Sequence, residues 1–581
     1  MRGLGMRLKT GLTAVLAVGA VVVTGTPATA DDDNRDRTHQ NRQSINTEAD
    51  YTPFTRFTPL GTTAPCMGEP GGRQADPFLL PAGGEDGPDG YDQAIFFEES
   101  DPITSQPPQG PSTKAEDLFD MNTQNESGKD AGRYVYRTHE VGGAPNEADP
   151  QSPGGGQVTV TDLQTGVTKN LAQRNDWERF DGLVWTPWGT ILAAEETINQ
   201  SFRDPQVPQA NGGLVYEFFL DLDDPSKLDP SRERITPGDG TTDTAQDGVR
   251  ARPAVGAKSH EGMRFDKRGH LYGIAESGGE TQTEPNAPVA TGGVSGGIFR
   301  FVPDRNGDLS SGQLSAYDSP NGKDGEGRWQ PLDRAAVQVD ADRHAAAEGV
   351  NRYQRPEDVE TGESTGVDRL NGGQTLYVAI TGDGSDGSFE EGVFTIDLRK
   401  ADRPFGYRYV GKQTGTLADP RPGNASEPDF NSPDNLALDS RGNLAITEDP
   451  GGEPPAKTQG DDIFIAAPPR GNGEERGGDD RRGANHEPAD TVQKFASLKD
   501  CAAEPSGVYF ALAGTEKFSR HNPNPEVREL VNSESLFVHR MHSGQTTTVD
   551  QAVVIAPVDD GREGRGADGR DNGRDDDRGN D

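Results

Sequence analysis

The chain predicts an all-β fold of repeated antiparallel hairpins, a β-propeller with long loop insertions. Three stretches carry the prediction: Phe430 to Asp449 (FNSPDNLALDSRGNLAITED), Phe180 to Glu196 (FDGLVWTPWGTILAAEE) and His260 to Glu276 (HEGMRFDKRGHLYGIAE). In each an acid opens the unit (Asp434, Asp181, Glu261), a glycine marks a turn (Gly442, Gly189, Gly269) and an acid closes it (Asp449, Glu196, Glu276). The two acids lie 15 residues apart in all three, and the glycine falls 7 after the second motif residue. An alternating apolar run, a glycine turn and a second apolar run describe a hairpin. One frame recurring along a chain describes small sheets set around an axis.

A hairpin returns the chain to its starting point, so both acids of a unit belong at the same end of their sheet, opposite the turn. Around an axis, six such carboxylates crowd one rim. Crowded carboxylates repel one another unless a cation holds them. The frame therefore points to a hard-metal site at the mouth of a propeller. The competing reading makes them turn acids that accept bonds from local backbone amides.

Taken in order, the chain opens with Arg2, Arg7 and Lys9, an apolar run from Leu12 to Val23, and the small-residue ending Ala28-Thr29-Ala30. Residues 1–30 are expected to be a secretory signal peptide, which makes the mature protein secreted. Residues 1–30 hold no Arg-Arg pair, which favours the general export route over the twin-arginine one. The polar segment 31–50 is expected to be a disordered linker, 51–557 the propeller, and 558–581 a disordered acidic tail. No later run of 18 apolar residues exists, so no membrane partner is expected.

A net charge of -39 argues against nucleic acid and anionic membranes as partners. With 75 glycines and 30% hydrophobic residues, the composition suits short strands joined by many turns. Cys66 and Cys501, the two cysteines, flank the expected fold. In an oxidising compartment they are expected to form a disulfide that ties the first and last parts of the ring together.

Other segments add detail. Gly132 to Glu140 (GRYVYRTHE) reads as the closing half of a further unit, and Asn125 stands 15 before Glu140 where an opening acid is expected. Residues 197–213 and 226–256 read as long polar loops. Asp304 to Asp308 resembles half a calcium loop, but its twelfth position is Ser315, so a plain turn is expected. Residues 333–349 are the best helix candidate. Pro468 to Asp490 reads as a low-complexity insertion. Arg355-Pro356-Glu357-Asp358-Val359 opens a looser copy of the hairpin frame and sets an arginine beside two acids. A guanidinium fork next to bound cations suits an anionic substrate; the alternative is that Arg355 only pairs with its neighbouring acids.

The segments WERFDGLVWTPWGTILAAEE, SHEGMRFDKRGHLYGIAE with GGIFRFVPD, RPEDVE, SPDNLALDSRGNLAITED and SLFVHRMHSGQ together resemble the PhoX-type alkaline phosphatases of the DUF839 family, over roughly residues 90 to 555. The resemblance implies a six-bladed propeller, a calcium and iron cluster at one mouth, and hydrolysis of phosphate monoesters outside the cytoplasm. It assigns metal-ligand roles to Glu140, to Glu195 or Glu196, to Glu357, to Asp434, and to Glu448 or Asp449, with Glu261 as a further ligand. Arg355 takes the substrate-binding role. Thr138 replaces the asparagine of the family's Asn-His-Glu motif. The family's iron-bound cysteine has no counterpart in FDMNTQNESG, which leaves calcium as the expected metal and iron open.

The expected chemistry has clustered cations binding phosphate oxygens while Arg355 holds the non-bridging ones. The expected partner is a small phosphorylated substrate, and the expected assembly a monomer. His539 and His542 are three apart, which on a strand sends them to opposite faces and makes them poor joint ligands. Two other classes share the acidic rim: a calcium-dependent lactonase or esterase, which has no need of Arg355, and a non-catalytic calcium-stabilised propeller.

Overall fold

The structure, a computed structural model, describes residues 54–558 with interruptions, of which the longest are 105–113, 143–154, 277–295, 362–374, 412–429 and 468–488. The expected signal peptide, the linker, most of the insertion at 468–490 and the tail beyond Val558 lie outside the described residues. The chain divides into residues 1–44 and a unit from Ile45 to Asp581 that holds every described residue.

That unit is a six-bladed propeller. Six antiparallel sheets follow one another, and their innermost strands touch in cyclic order. Those strands are Phe119–Gln124 in blade 1, Phe180–Trp185 in blade 2, Met263–Phe265 in blade 3, Pro356–Thr361 in blade 4, Pro433–Leu438 in blade 5 and Ala503–Phe510 in blade 6. Each pairs with the next strand of the chain as a hairpin. The turn glycines read from the sequence lie at these hairpin tips with φ of 78° (Gly189), 78° (Gly269) and 90° (Gly442), a region that glycine enters without a Cβ clash. In two of these turns an aspartate caps the bend: Asp266 accepts from the Arg268 and His270 amides, and Asp439 from those of Arg441 and Asn443.

A sheet sandwiched between neighbours is buried on both faces, which explains why strands such as Ile191–Glu195 are buried throughout rather than alternating. The core is accordingly a set of clusters between adjacent blades. One packs Tyr136 and Val158 of blade 1 against Phe180, Leu183 and Tyr216 of blade 2; another packs Ala437 and Ile463 of blade 5 against Val538 and Ile555 of blade 6.

The chain's ends close the ring in blade 6. Its C-terminal strand Gln551–Val558 pairs with the N-terminal strand Gly90–Glu98, and the outer strands Ala82–Gly83 and Phe57–Thr58 follow. Cys66 and Cys501 form the expected disulfide across 435 residues, with Cα atoms 5.3 Å apart. On the chain-entropy account a loop of that length contributes about 6 kcal/mol. The helix expected over 333–349 is Val337–Ala347, interrupted by a non-helical Asp340. Asp304 to Asp308 is the turn between Gly297–Arg305 and Asp308–Asp318. The stretch 226–256 is not all loop: Val249–Ala251 is the outer strand of blade 2, paired with Val215–Phe218. No helix among the described residues is long and apolar enough to cross a membrane.

Candidate metal centre

One backbone device recurs at the acidic end of the blades. In blades 1 to 5 the residue just after the second strand of the hairpin donates its amide to the carbonyl two residues before the opening acid. Glu140 bonds Leu118 at 3.0 Å, Glu196 bonds Arg179 at 2.9 Å, Glu276 bonds Ser259 at 3.0 Å, Thr381 bonds Arg355 at 2.9 Å and Asp449 bonds Ser432 at 2.9 Å. Leu118, Arg179, Arg355 and Ser432 hold φ of 57°, 49°, 46° and 42°, and they are the only non-glycine residues with positive φ among the described ones. A left-handed backbone costs a side-chain-bearing residue on the order of 1 kcal/mol. Four such residues at one repeated position mark a device of the fold, with the interstrand bond offsetting the strain.

The device delivers one opening acid in each of blades 1 to 5, Asp120, Asp181, Glu261, Glu357 and Asp434; Glu504, in the innermost strand of blade 6, is the sixth. Four closing acids join them: Glu140, Glu196, Glu276 and Asp449. Adjacent strands approach closely because the residue after two of these acids is glycine. A Cβ on Gly182 would stand 2.1 Å from the Glu261 carbonyl oxygen, and one on Gly262 would stand 1.5 Å from Asp358 Oδ1. Below the ring, Arg264 pairs with Glu360 at 2.9 Å and reaches the Leu183 carbonyl, so a buried ion pair lies under the acids.

Two trios bring single carboxylate oxygens within 4.8 Å of one another: Asp181 with Glu196 and Glu261, and Glu261 with Glu357 and Asp434. Glu261 belongs to both. Burial, then the neighbouring charges, pushes these groups up. Asp120 rises to about 7 through burial and Glu196. Glu261 goes well above the carboxylate range through burial, Asp181 and Glu357; Asp434 does so through burial and Asp449. Glu504 follows the same course through burial and Asp449, to which it hydrogen-bonds. Glu357 is raised by burial even though Arg355 stands beside it.

Both arginines of the repeated left-handed position enter the ring. Arg355 donates from Nε to Glu276 at 3.1 Å, and its Nη2 lies 2.9 Å from Glu357 and 3.3 Å from Asp449. Arg179 donates from Nε to Glu196 at 2.9 Å, and its Nη2 contacts Glu140 and Glu196.

The structure sorts the expected site residues. Glu196, Glu261, Glu357 and Asp434 fill the trios, while Glu140, Asp449 and Arg355 join them at the rim. Glu195 and Glu448 do not. Each is the last residue of its strand, so alternation turns it away from the mouth. Glu195 accepts the Glu178 and Leu214 amides at 3.0 and 2.9 Å, and Glu448 accepts the Asn431 amide at 2.7 Å. For these two the reading as local backbone acceptors holds. Asp358 likewise lies beneath, bonded to the Val359 and Leu436 amides. His260 is buried on the Gly256 carbonyl. His539 bonds the Asp120 carbonyl and Arg137, while His542 bonds Asp500 and Asp550, so the pair shares no partner.

Sequence reasoning placed the opening position of blade 1 at Asn125, and the structure corrects it to Asp120. The hairpin tip there is longer, and Asn125 sits in it, accepting from the Tyr134 amide at 2.9 Å. The shared Phe-Asp of Phe119-Asp120 and Phe180-Asp181 was the available signal. Arg179 also had one: Arg179-Phe180-Asp181 matches Arg355-Pro356-Glu357 in spacing and charge. Glu504 had none, because blade 6 lacks the 15-residue frame.

The residues present fit a bound cation. Asp181 Oδ1 is buried with no donor among the described residues, and both trios offer carboxylate oxygens alone, a donor set for hard ions. A thiolate ligand is excluded, since the chain's two cysteines are consumed by the disulfide. Because the folded pKa values are raised, the metal-free fold keeps protons that the unfolded chain has released above about pH 4. Its stability therefore falls as pH rises from about 4 through 7 and beyond. Each group contributes about 1.4 kcal/mol for every tenfold by which the folded chain holds its proton more tightly than the unfolded one. With chelator present, the Tm is expected to drop by several degrees between about pH 5 and pH 8, and calcium to restore it. A metal-free Tm that stays level over that range would contradict the ring.

Six blades around an acid-lined axial mouth define the class: a β-propeller with its candidate site at the end of the innermost strands. The chain belongs to the alkaline phosphatase PhoX family, whose family model matches residues 184–516, and this places it among the phosphatases. Among solved structures, the chain is similar to Pseudomonas fluorescens PhoX in complex with vanadate, a transition state analogue, at 15% identity and a TM-score of 0.48 over 86% of this chain and 98% of that one. It is also similar to a gluconolactonase of Xanthomonas campestris, at 10% identity and a TM-score of 0.35 over 86% and 99%. No curated protein matches the chain.

Proposed function

We propose that this protein is an exported, calcium-dependent phosphatase that hydrolyses phosphate monoesters at the propeller mouth. The observation that carries the reading is the meeting of ten carboxylates from all six blades around two guanidiniums. Glu196, Asp181 and Glu261 would hold one cation, and Glu261, Glu357 and Asp434 another. When bound, such ions supply charge stabilisation for the phosphoryl oxygens. Arg355 orients the phosphate through its fork; Glu276, Glu357 and Asp449 fix the guanidinium's plane. Glu357 and Asp449 keep Arg355 charged at any working pH, with burial opposing them. The disulfide and the leader-like residues 1–30 support export.

The deciding assay sets p-nitrophenyl phosphate against a lactone, each with calcium and with chelator, alongside metal analysis of the purified protein. Calcium-dependent release of p-nitrophenol is expected. Lactone turnover alone would favour the lactonase class, and no turnover with a calcium-raised Tm the non-catalytic one; either result removes the phosphatase reading.

A further inference from the structure

The two acid trios and the two arginines form matched pairs. Arg179 bonds Glu196 and feels the charges of Glu196, Glu261 and Asp181, which are the three members of the first trio. Arg355 lies against Glu357 and bears on Asp434, both members of the second trio. Each arginine stands two residues before its blade's opening acid, in the same left-handed conformation. Each spends Nε and Nη2 on ring carboxylates. Neither has an acceptor for Nη1 among the described residues. Their side chains are 47% and 31% exposed, so both keep an open edge within an otherwise buried cluster. Between them stand Glu196 and Glu276, each of which feels both guanidiniums.

A cation-sized trio capped by a guanidinium with a free edge is one anion-binding lobe, and the mouth has two that share Glu261. We infer that the Arg179 lobe binds a second anionic group of the substrate, so that the preferred substrates are phosphate esters carrying another phosphate or a carboxylate. The inference rests on the phosphatase reading, with Arg355 holding the group to be hydrolysed. Arg179, the more exposed of the two, is then a specificity-determining residue whose fork reads the far end of the substrate.

The test uses the full mature protein in calcium. Equilibrium dialysis with inorganic phosphate is expected to give two bound phosphates per chain in the natural protein and one in Arg179→Ala. The ratio of kcat/KM for a hexose bisphosphate to that for the matching hexose monophosphate is expected to fall by about tenfold or more in Arg179→Ala, chiefly through KM, and to recover in part in Arg179→Lys. Taking a ratio within each variant removes any general effect of the substitution on the acids it contacts, and Arg179→Lys keeps the cation should the alanine variant fold poorly. One phosphate per chain in the natural protein, or an unchanged ratio, overturns the second lobe while leaving the phosphatase intact if p-nitrophenyl phosphate is still hydrolysed. Loss of all phosphate binding and turnover in the natural protein removes both.

Discussion

Glu261→Gln is expected to remove the metal centre while leaving the fold in place. Glu261 is the one carboxylate common to both trios, so losing its charge weakens both candidate cation sites together. Turnover should fall at least about a hundredfold, the scale on which preorganised charge acts on a transition state. Metal analysis should show fewer bound ions. The effect on stability separates this from simple damage. In the metal-free fold Glu261 is pushed well above the carboxylate range, by burial first and then by Asp181 and Glu357, so it already resembles its neutral amide. The metal-free variant at about pH 8 should therefore melt at or above the metal-free natural protein. The rise in Tm on adding calcium should shrink. If the variant instead binds a full complement of metal and keeps its turnover, Glu261 is not a ligand and the two-trio arrangement fails.

Arg355→Ala is the second large effect. The guanidinium is held by Glu276, Glu357 and Asp449 from three different blades, so its position is set by the ring rather than by its own loop. Removing a planar fork that holds phosphate oxygens should lower kcat/KM for p-nitrophenyl phosphate by about a hundred- to a thousandfold at saturating calcium. Arg355→Lys should recover only part of this, because a point charge does not reproduce two parallel hydrogen bonds. Calcium stoichiometry should not fall, since the trios contain no arginine. Natural turnover in Arg355→Ala would show that the residue only neutralises its neighbours. It would then play the part that the adjacent acids alone suggest in the sequence.

Much of this centre was legible before any fold was known. The 15-residue frame around Asp181, Glu261 and Asp434 fixed three opening acids, and the turn glycines at 189, 269 and 442 fixed the hairpins between them. Arg355 and Glu357 followed from a looser copy. The ambiguous pairs did not resolve. Glu195-Glu196 and Glu448-Asp449 each contain one rim acid and one backbone acceptor, and two adjacent acids look alike until the strand's pleat is known. Asp120 was displaced from its expected register because blade 1 has a longer hairpin tip.

The sequence by itself determined the repeated hairpin, the end of each sheet where the acids gather, and the closure of the chain by Cys66 and Cys501. These follow from local spacing, turn chemistry and residue type, which act over a few residues or through a single covalent bond. Tertiary structure alone decided that Glu504 completes the ring and that Glu261 is shared by two trios. Those facts depend on which strands become neighbours around the axis. That order is set by burial between whole blades, and it brings together residues hundreds of positions apart that no local pattern connects.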